Sequence, residues 1–212
     1  IDINEINKKT YSSSFGNYVT EQTTALHIAV LKNNQQIINQ LLSYQNIDVN
    51  LHYIYQYKIF DSEKSSSRTA LHMAIKNEND EIVMILLQNP NIDVNMKSVF
   101  VVYEIDKAYF CIDEKITQIC PLHFAIENKS YEIIQLLLEK TNIDVNIKYS
   151  YSECDYWTDY CKRLIQEKTA LHIAIEKDDY KLVQLLLSHI DINPNIRSLY
   201  KESEDDDDYK ID

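Results

Sequence analysis

The residues with the most chemical potential are four histidines at equivalent-looking places, His27, His72, His123 and His172, with Cys120 three residues before one of them. Histidine with cysteine is the donor set of a zinc site or of a thiol nucleophile with its base, so these positions come first. Each histidine, however, lies in its own stretch of the form Leu-His-x-Ala, about fifty residues from the next. A metal needs ligands that converge, and one histidine per distant segment does not supply that. Cys120 stands where Thr24, Thr69 and Thr169 stand before the other three histidines, so the Cys-x-x-His spacing arises from a single exchange in a recurring pattern. Cys154 and Cys161 lie seven apart, close enough for a disulfide or a clip, but no second pair supports either, and they are read with Cys111 and Cys120 as unpaired thiols. Asp205 to Asp208 could attract calcium, yet the alternating ligand spacing of a calcium loop is missing. No catalytic, cofactor or metal constellation follows.

Composition excludes further chemistry. One glycine, Gly16, in 212 residues leaves nothing from which to build a phosphate-cradling loop or a nucleophile elbow. The formal charge is −12, of which −5 lies in residues 201–212, and no basic stripe interrupts it, so nucleic acid is not expected as a partner. Uncharged apolar runs such as 82–87 and 99–103 are far below the roughly 20 residues of a membrane span, so no membrane insertion is expected. Sparse cysteines suggest a cytoplasmic protein, with the nucleus also open, and a chain that begins at Ile1 suggests that the true N-terminus is not present.

The elements that must position these residues are repeated. Residues 24–50, 69–95, 120–146 and 169–195 align without a gap, as in TALHIAVLKNNQQIINQLLSYQNIDVN for the first. Leu26, Ile28, Ala29 and Val30, then Ile37, Ile38, Leu41 and Leu42, place apolar stripes on two short helices joined by a polar turn. Helices this short are marginal alone, so the hairpins must stack, and the small Ala29, Ala74, Ala125 and Ala174 let them approach. Asn46, Asn91 and Asn142 are expected as left-handed caps of the second helix.

Thr-x-Leu-His-x-Ala, a Leu-Leu helix and Asp-Val-Asn together resemble the ankyrin repeat. The resemblance implies a mainly α chain, an α-solenoid of stacked helix-turn-helix repeats, with the histidines tying each first turn to a neighbouring loop. It departs from the family in three respects. Asn33, Glu78, Lys129 and Asp178 replace the glycine between helices, the third block begins Cys-Pro, and blocks recur every 45, 51 and 49 residues instead of about 33. The excess lies in four insertions, 5–23, 51–68, 96–119 and 147–168, which hold 16 of the 22 aromatic residues. Tyr53, Tyr55, Tyr57 and Ile59 alternate as on a strand, and 99–105 with 108–112 would flank an Asp106-Lys107 turn. Elongated β-hairpin fingers and composition-biased loops both fit, and 62-SEKSSSR-68 has the composition of a disordered stretch. Residues 1–4 match the end of a preceding repeat, and 196–212 the start of a further acidic insertion.

The resemblance implies a non-catalytic scaffold that binds a protein partner. Candidate contacts are Leu31, Lys32, Lys76, Asn77, Glu127, Asn128, Glu176 and Lys177 late in the first helices. Aromatic finger candidates are Tyr53, Tyr55, Tyr57, Phe100, Tyr103, Tyr109, Tyr156, Trp157 and Tyr160. The alternative is a targeting arm of a larger enzyme or channel. Asn50, Asn95 and Asn146, each eight residues after a leucine of the second helix (Leu42, Leu87, Leu138), also resemble sites of ankyrin asparagine hydroxylation, beside a plain role as turn residues.

Overall fold

The computed structural model describes residues 2–13, 16–60, 62–106, 111–157 and 160–205, and side chains for these except 105–106, 111–112, 155–157, 160–162 and 204–205. Four helical hairpins alternate with the insertions. They are α1 (Ala25–Leu31) with α2 (Gln35–Leu42), α3 (Ala70–Lys76) with α4 (Asp80–Leu87), α5 (Pro121–Glu127) with α6 (Tyr131–Leu138), and α7 (Ala170–Glu176) with α8 (Tyr180–Leu187). The first helices pack on one another in chain order, α1 on α3 on α5 on α7, and α2, α4 and α6 form a second row.

The core lies between successive hairpins. Val30, Ile75 and Ile126 are sealed at one equivalent position, and Ile82 and Ile133 at another. Ala74, Ala125 and Ala174 are wholly buried, as expected for positions where helix backbones approach. Each position is open at one end of the stack, the first in the last hairpin, where Ile175 is 60% exposed, and the second in the first hairpin, where Ile37 is 46% exposed.

Each insertion folds into a hairpin: β1 (Asn7–Ser12) with β2 (Tyr18–Thr23), β3 (His52–Ile59) with β4 (Ser62–Thr69), β5 (Ser98–Asp106) with β6 (Cys111–Ile119), and β7 (Lys148–Trp157) with β8 (Tyr160–Thr169). These hairpins also pair with each other, and with β9 (Leu199–Asp205) they make one antiparallel sheet of nine strands in chain order. The expectation of a mainly α chain is therefore overturned: helix and strand each take 33%.

Three finer expectations are corrected with it. The serine-rich stretch 62–68 is β4, because β3 and β5 pair with it on both sides and supply the order that its composition lacks. Asp106 is the last residue of β5 and stands opposite Cys111, so it is a paired strand residue and not the first residue of a turn; Lys107 lies outside the described residues. Asn46, Asn91 and Asn142 are not left-handed; among the described residues, positive φ falls on Asn33, Phe60, Glu78, Lys129 and Asp178, with Gly16.

The inter-helix turn therefore needs the left-handed conformation in every hairpin and fills it without glycine. Asparagine tolerates it, whereas Glu78 (φ 51°) and Lys129 (φ 57°) hold a Cβ against the following carbonyl at a cost of about 1 kcal/mol each. Glu78→Gly and Lys129→Gly should each raise stability by up to about 1 kcal/mol, less the extra freedom that glycine gives the unfolded chain. Urea denaturation of the two variants and of Asn33→Gly, which should gain less, checks this.

Candidate functional site

Two polar devices hold the hairpins in register, and both use residues that the sequence pattern repeats. The first is a latch at the start of each first helix. Thr24 N–H donates to His27 Nδ1 (3.2 Å) and the Thr24 hydroxyl meets the same nitrogen at 2.8 Å. An amide N–H can only donate, so Nδ1 is the acceptor and Nε2 carries the proton to the Leu51 carbonyl at 3.0 Å. His72 repeats this with Thr69 and the Ile119 carbonyl, and His172 keeps the Thr169 half. In the third hairpin the Cys120 thiol takes the hydroxyl's place, 2.8 Å from His123 Nδ1, and His123 Nε2 is buried without a hydrogen bond. Burial pushes the Cys120 thiol up to about 11, so it is a neutral structural group and not a nucleophile. Cys154 is also a free, buried thiol, reached by the Arg163 Nε at 3.1 Å. Among the described residues no three His, Cys, Asp or Glu side chains are placed to hold a metal.

The second device is an asparagine bridge. In each Asp-x-Asn turn the aspartate accepts the asparagine's own N–H, as Asp93 does from Asn95 at 2.8 Å. This aims the asparagine amide at the next repeat. Asn4, Asn50, Asn95 and Asn146 each donate Nδ2 to a carbonyl there (Asn46, Asn91, Asn142, Asp191) and accept an N–H on Oδ1 (Asp48, Asp93, Asp144, Asn193), all at 2.7–2.9 Å. Asn46, Asn91 and Asn142 thus serve as carbonyl acceptors, and Asn50, Asn95 and Asn146, singled out in the sequence for hydroxylation, hold a structural place as bridges.

The surface free for recognition is the side on which the first helices and one face of the sheet converge. That face is fixed by register: Tyr53 stands opposite Arg68, Tyr55 opposite Ser66 and Tyr57 opposite Lys64. One rung runs Glu21, Tyr55, Ser66, Phe100, Thr117, Tyr151, Gln166 and Tyr200 across eight strands. Its base rests on the helices. The Tyr53 ring lies 6.1 Å from His27, Phe100 lies 6.2 Å from Phe124 of α5, and Tyr149 lies 6.3 Å from His123. Near the last repeat, Glu127, Tyr149, Gln166, Lys168, Ile173, Glu176 and Lys177 line a groove between sheet and helix ends.

Of the helix-end residues marked in the sequence, Glu127, Glu176 and Lys177 line this groove. Lys177 bonds Glu127 across two repeats, Lys168 bonds Glu176 (2.9 Å each), and Leu31 is 52% exposed. Lys32, Lys76 and Asn77 are exposed, and the Asn128 amide is turned to the Ile75 carbonyl. Tyr53, Tyr55 and Tyr57 form a continuous ring row, with centroids 6.5 and 6.0 Å apart. Burial, with the Glu21 carboxylate beside it, pushes the Tyr53 phenol up to about 12. Phe100 is clasped between Phe124 and the Arg68 guanidinium, 4.5 Å above its ring. Tyr103 lies on the opposite sheet face, on the rung of Lys58, Glu63 and Glu114. Tyr156 pairs with Cys161 and Trp157 with Tyr160 at the far end of their hairpin, and Tyr109 lies outside the described residues. Sequence reasoning missed Arg68, Tyr149, Lys168 and Phe124; pairing the serine-rich β4 antiparallel to β3, with Ser62 opposite Ile59, would have set Arg68 opposite Tyr53.

A family model described as ankyrin repeats in three copies matches residues 6–98, 61–149 and 112–198. No curated protein and no solved structure matches the chain.

Burial holds three latch histidines neutral, pushing His27 down to about 4 and His72 and His123 to about 3; the Leu51 and Ile119 carbonyls pull the first two weakly the other way. The unfolded chain binds these protons near pH 6.5 and the folded one does not. Stability is therefore full above pH 6.5 and falls as the pH drops toward 4, by about 1.4 kcal/mol per pH unit for each fully titrated histidine. Urea midpoints measured from pH 7 to 5, where few carboxylates titrate, should fall steadily, and His72→Gln should flatten the slope by about a third. Asn95→Ala, which deletes both bonds of one bridge, should cost about 1–2 kcal/mol by the same measurement at pH 7, with Asn95→Asp intermediate.

Proposed function

The chain belongs to the ankyrin-repeat family, and from that premise we propose that it is a non-catalytic scaffold that captures a protein partner in the angle between its first helices and its sheet. Ankyrin repeats are generally modules of protein–protein interaction. In this reading residues 24–50, 69–95, 120–146 and 169–195 are four repeat cores, and the insertions between them are recognition fingers fused side by side.

The observation that supports it most is the composition and placement of the helix-facing sheet surface. Tyr53, Tyr55, Tyr57, Phe100, Tyr149 and Tyr151 stand on that face, and the acidic ends of α5 and α7, Glu127 and Glu176, are ion-paired beside it. Aromatic rings on a rigid sheet supply large contact area at little conformational cost, the usual make-up of a binding hot spot. Exposed ion pairs such as Lys177 with Glu127 contribute little to stability, so they are free to exchange partners.

The two faces of the sheet give an internal control. Tyr55→Ala with Tyr57→Ala, and Glu176→Ala with Lys177→Ala, should each weaken the affinity for a captured partner by about tenfold or more, whereas Tyr103→Ala on the back face should not. Partner capture from the source cell, with dissociation constants for each variant by calorimetry and the fold checked by circular dichroism, tests this. Equal losses from front and back would sink the proposal.

A further inference from the structure

The repeats differ at one anomalous place, where the base of a finger meets the end of a first helix. At the base of the last finger, Lys168 reaches forward eight residues to Glu176 at the end of α7 and pairs with it at 2.9 Å. The equivalent positions in the second repeat are Arg68 and Lys76: the same strand end, the same helix end, the same spacing, but a cation where the acid should be. The backbone frame that brings Lys168 onto Glu176 brings these two cations together. The other acid that could serve this end of the helix is also missing. Glu127 gains Lys177 from the following repeat, whereas the residue that follows Lys76 in this way is Asn128, whose amide is spent on the Ile75 carbonyl.

Arg68 is poorly satisfied where it stands. Its Nε is buried and has no hydrogen-bond partner, while its guanidinium lies over the Phe100 ring, with Tyr53 opposite in register. Among the described ion pairs neither Arg68 nor Lys76 takes part. The electrostatics agree: Lys76 is held below its usual range first by the charge of Arg68, and Arg68 by its own burial. Two adjacent cations, one with an unused buried donor beside an aromatic wall, are unfavourable until an anion arrives. In a chain of net charge −12 the anion is not drawn by the overall field, so it must be recognised locally.

We propose that Arg68 and Lys76 form an anion seat between the helix-facing side of the sheet and the end of α3 that receives the carboxylate or phosphate of an acidic side chain on the protein partner. The seat rests on the binding role proposed above and names its chemistry. Arg68 presents a fork of donors to two oxygens while Phe100 holds its plane, and Lys76 adds a point charge from the helix end. The seat is specific to the second repeat, because Thr23 with Leu31 and Ile119 with Glu127 occupy the same positions in the first and third.

Lys76→Glu tests the seat by restoring the arrangement of Lys168 and Glu176. The reporter is the Arg68 Nε–Hε resonance in nitrogen-15 NMR, assigned by its loss in Arg68→Gln. The wild-type protein is titrated with N-acetylglutamate amide, N-acetylphosphoserine amide and, as the neutral control, N-acetylglutamine amide. A saturable shift with one or both anions, absent with glutamine and at least about tenfold weaker in Lys76→Glu, is the expected result, together with a higher melting temperature for that variant. A response to phosphate alone would assign the seat to phosphorylated partners, and one to carboxylate alone to aspartate or glutamate. No saturable shift, or a shift unchanged in Lys76→Glu, would overturn it. That failure is separable from failure of the scaffold reading, which is judged by capture through Tyr55, Tyr57, Glu176 and Lys177.

Discussion

The architecture depends on a match between two spacings. Packed helices sit about 8–10 Å apart, and two paired strands side by side occupy about 9.5 Å. Each repeat therefore advances the stack by nearly the width of one hairpin. Short turns would leave that match unused. Here the hairpins extend by eight to ten residues per strand in the last three insertions, so the outer strand of each meets the first strand of the next, and four fingers become one sheet.

The match holds only if the repeats do not slip, which is the work of the asparagine bridge and the histidine latch. Hydrophobic faces alone tolerate sliding, since an apolar contact has no direction. The amide of Asn50 or Asn95, with a donor to one backbone group and an acceptor for another two residues away, fixes the next repeat to a single position. The latch does the same between helix and finger, joining His27 to the Leu51 carbonyl and His72 to the Ile119 carbonyl. The latch bonds are buried or part-buried and the asparagine bridges lie mostly at the surface; both devices are polar, so each is rigid only when every member is bonded. Third-repeat Cys120 and the unbonded Nε2 of His123 mark the weakest latch.

Rigidity matters because the proposed recognition surface is shared between elements distant in sequence. The ring row of Tyr53, Tyr55 and Tyr57 comes from one finger, Phe100 from the next, Phe124 from a helix, and the paired charges of Glu127 and Lys177 from two different repeats. The mostly paired charges leave a near-neutral mosaic, against which the unpaired Arg68 and Lys76 stand out. Specificity in such a fold is written in the positions that break the repeat, and these two break it in sign of charge.

The sequence by itself determined the helical hairpins and the family, because those rest on local periodicity and on motifs such as Thr-x-Leu-His that recur in register. It also marked Asn33, Glu78, Lys129 and Asp178 as standing in for a glycine between the helices, while expecting the left-handed conformation elsewhere, at Asn46, Asn91 and Asn142. Only the tertiary structure decided that helix and strand are equal in share, that the serine-rich 62–68 is an interior strand, and that Tyr103 faces away from Tyr55. The reason is that strand pairing between fingers joins residues more than thirty positions apart, and a strand's order comes from its neighbours more than from its own composition. Arg68 shows the same limit at the scale of one side chain: its type was legible, but its lack of a counter-ion became visible only beside Lys168 and Glu176, in the frame that the stacked repeats share.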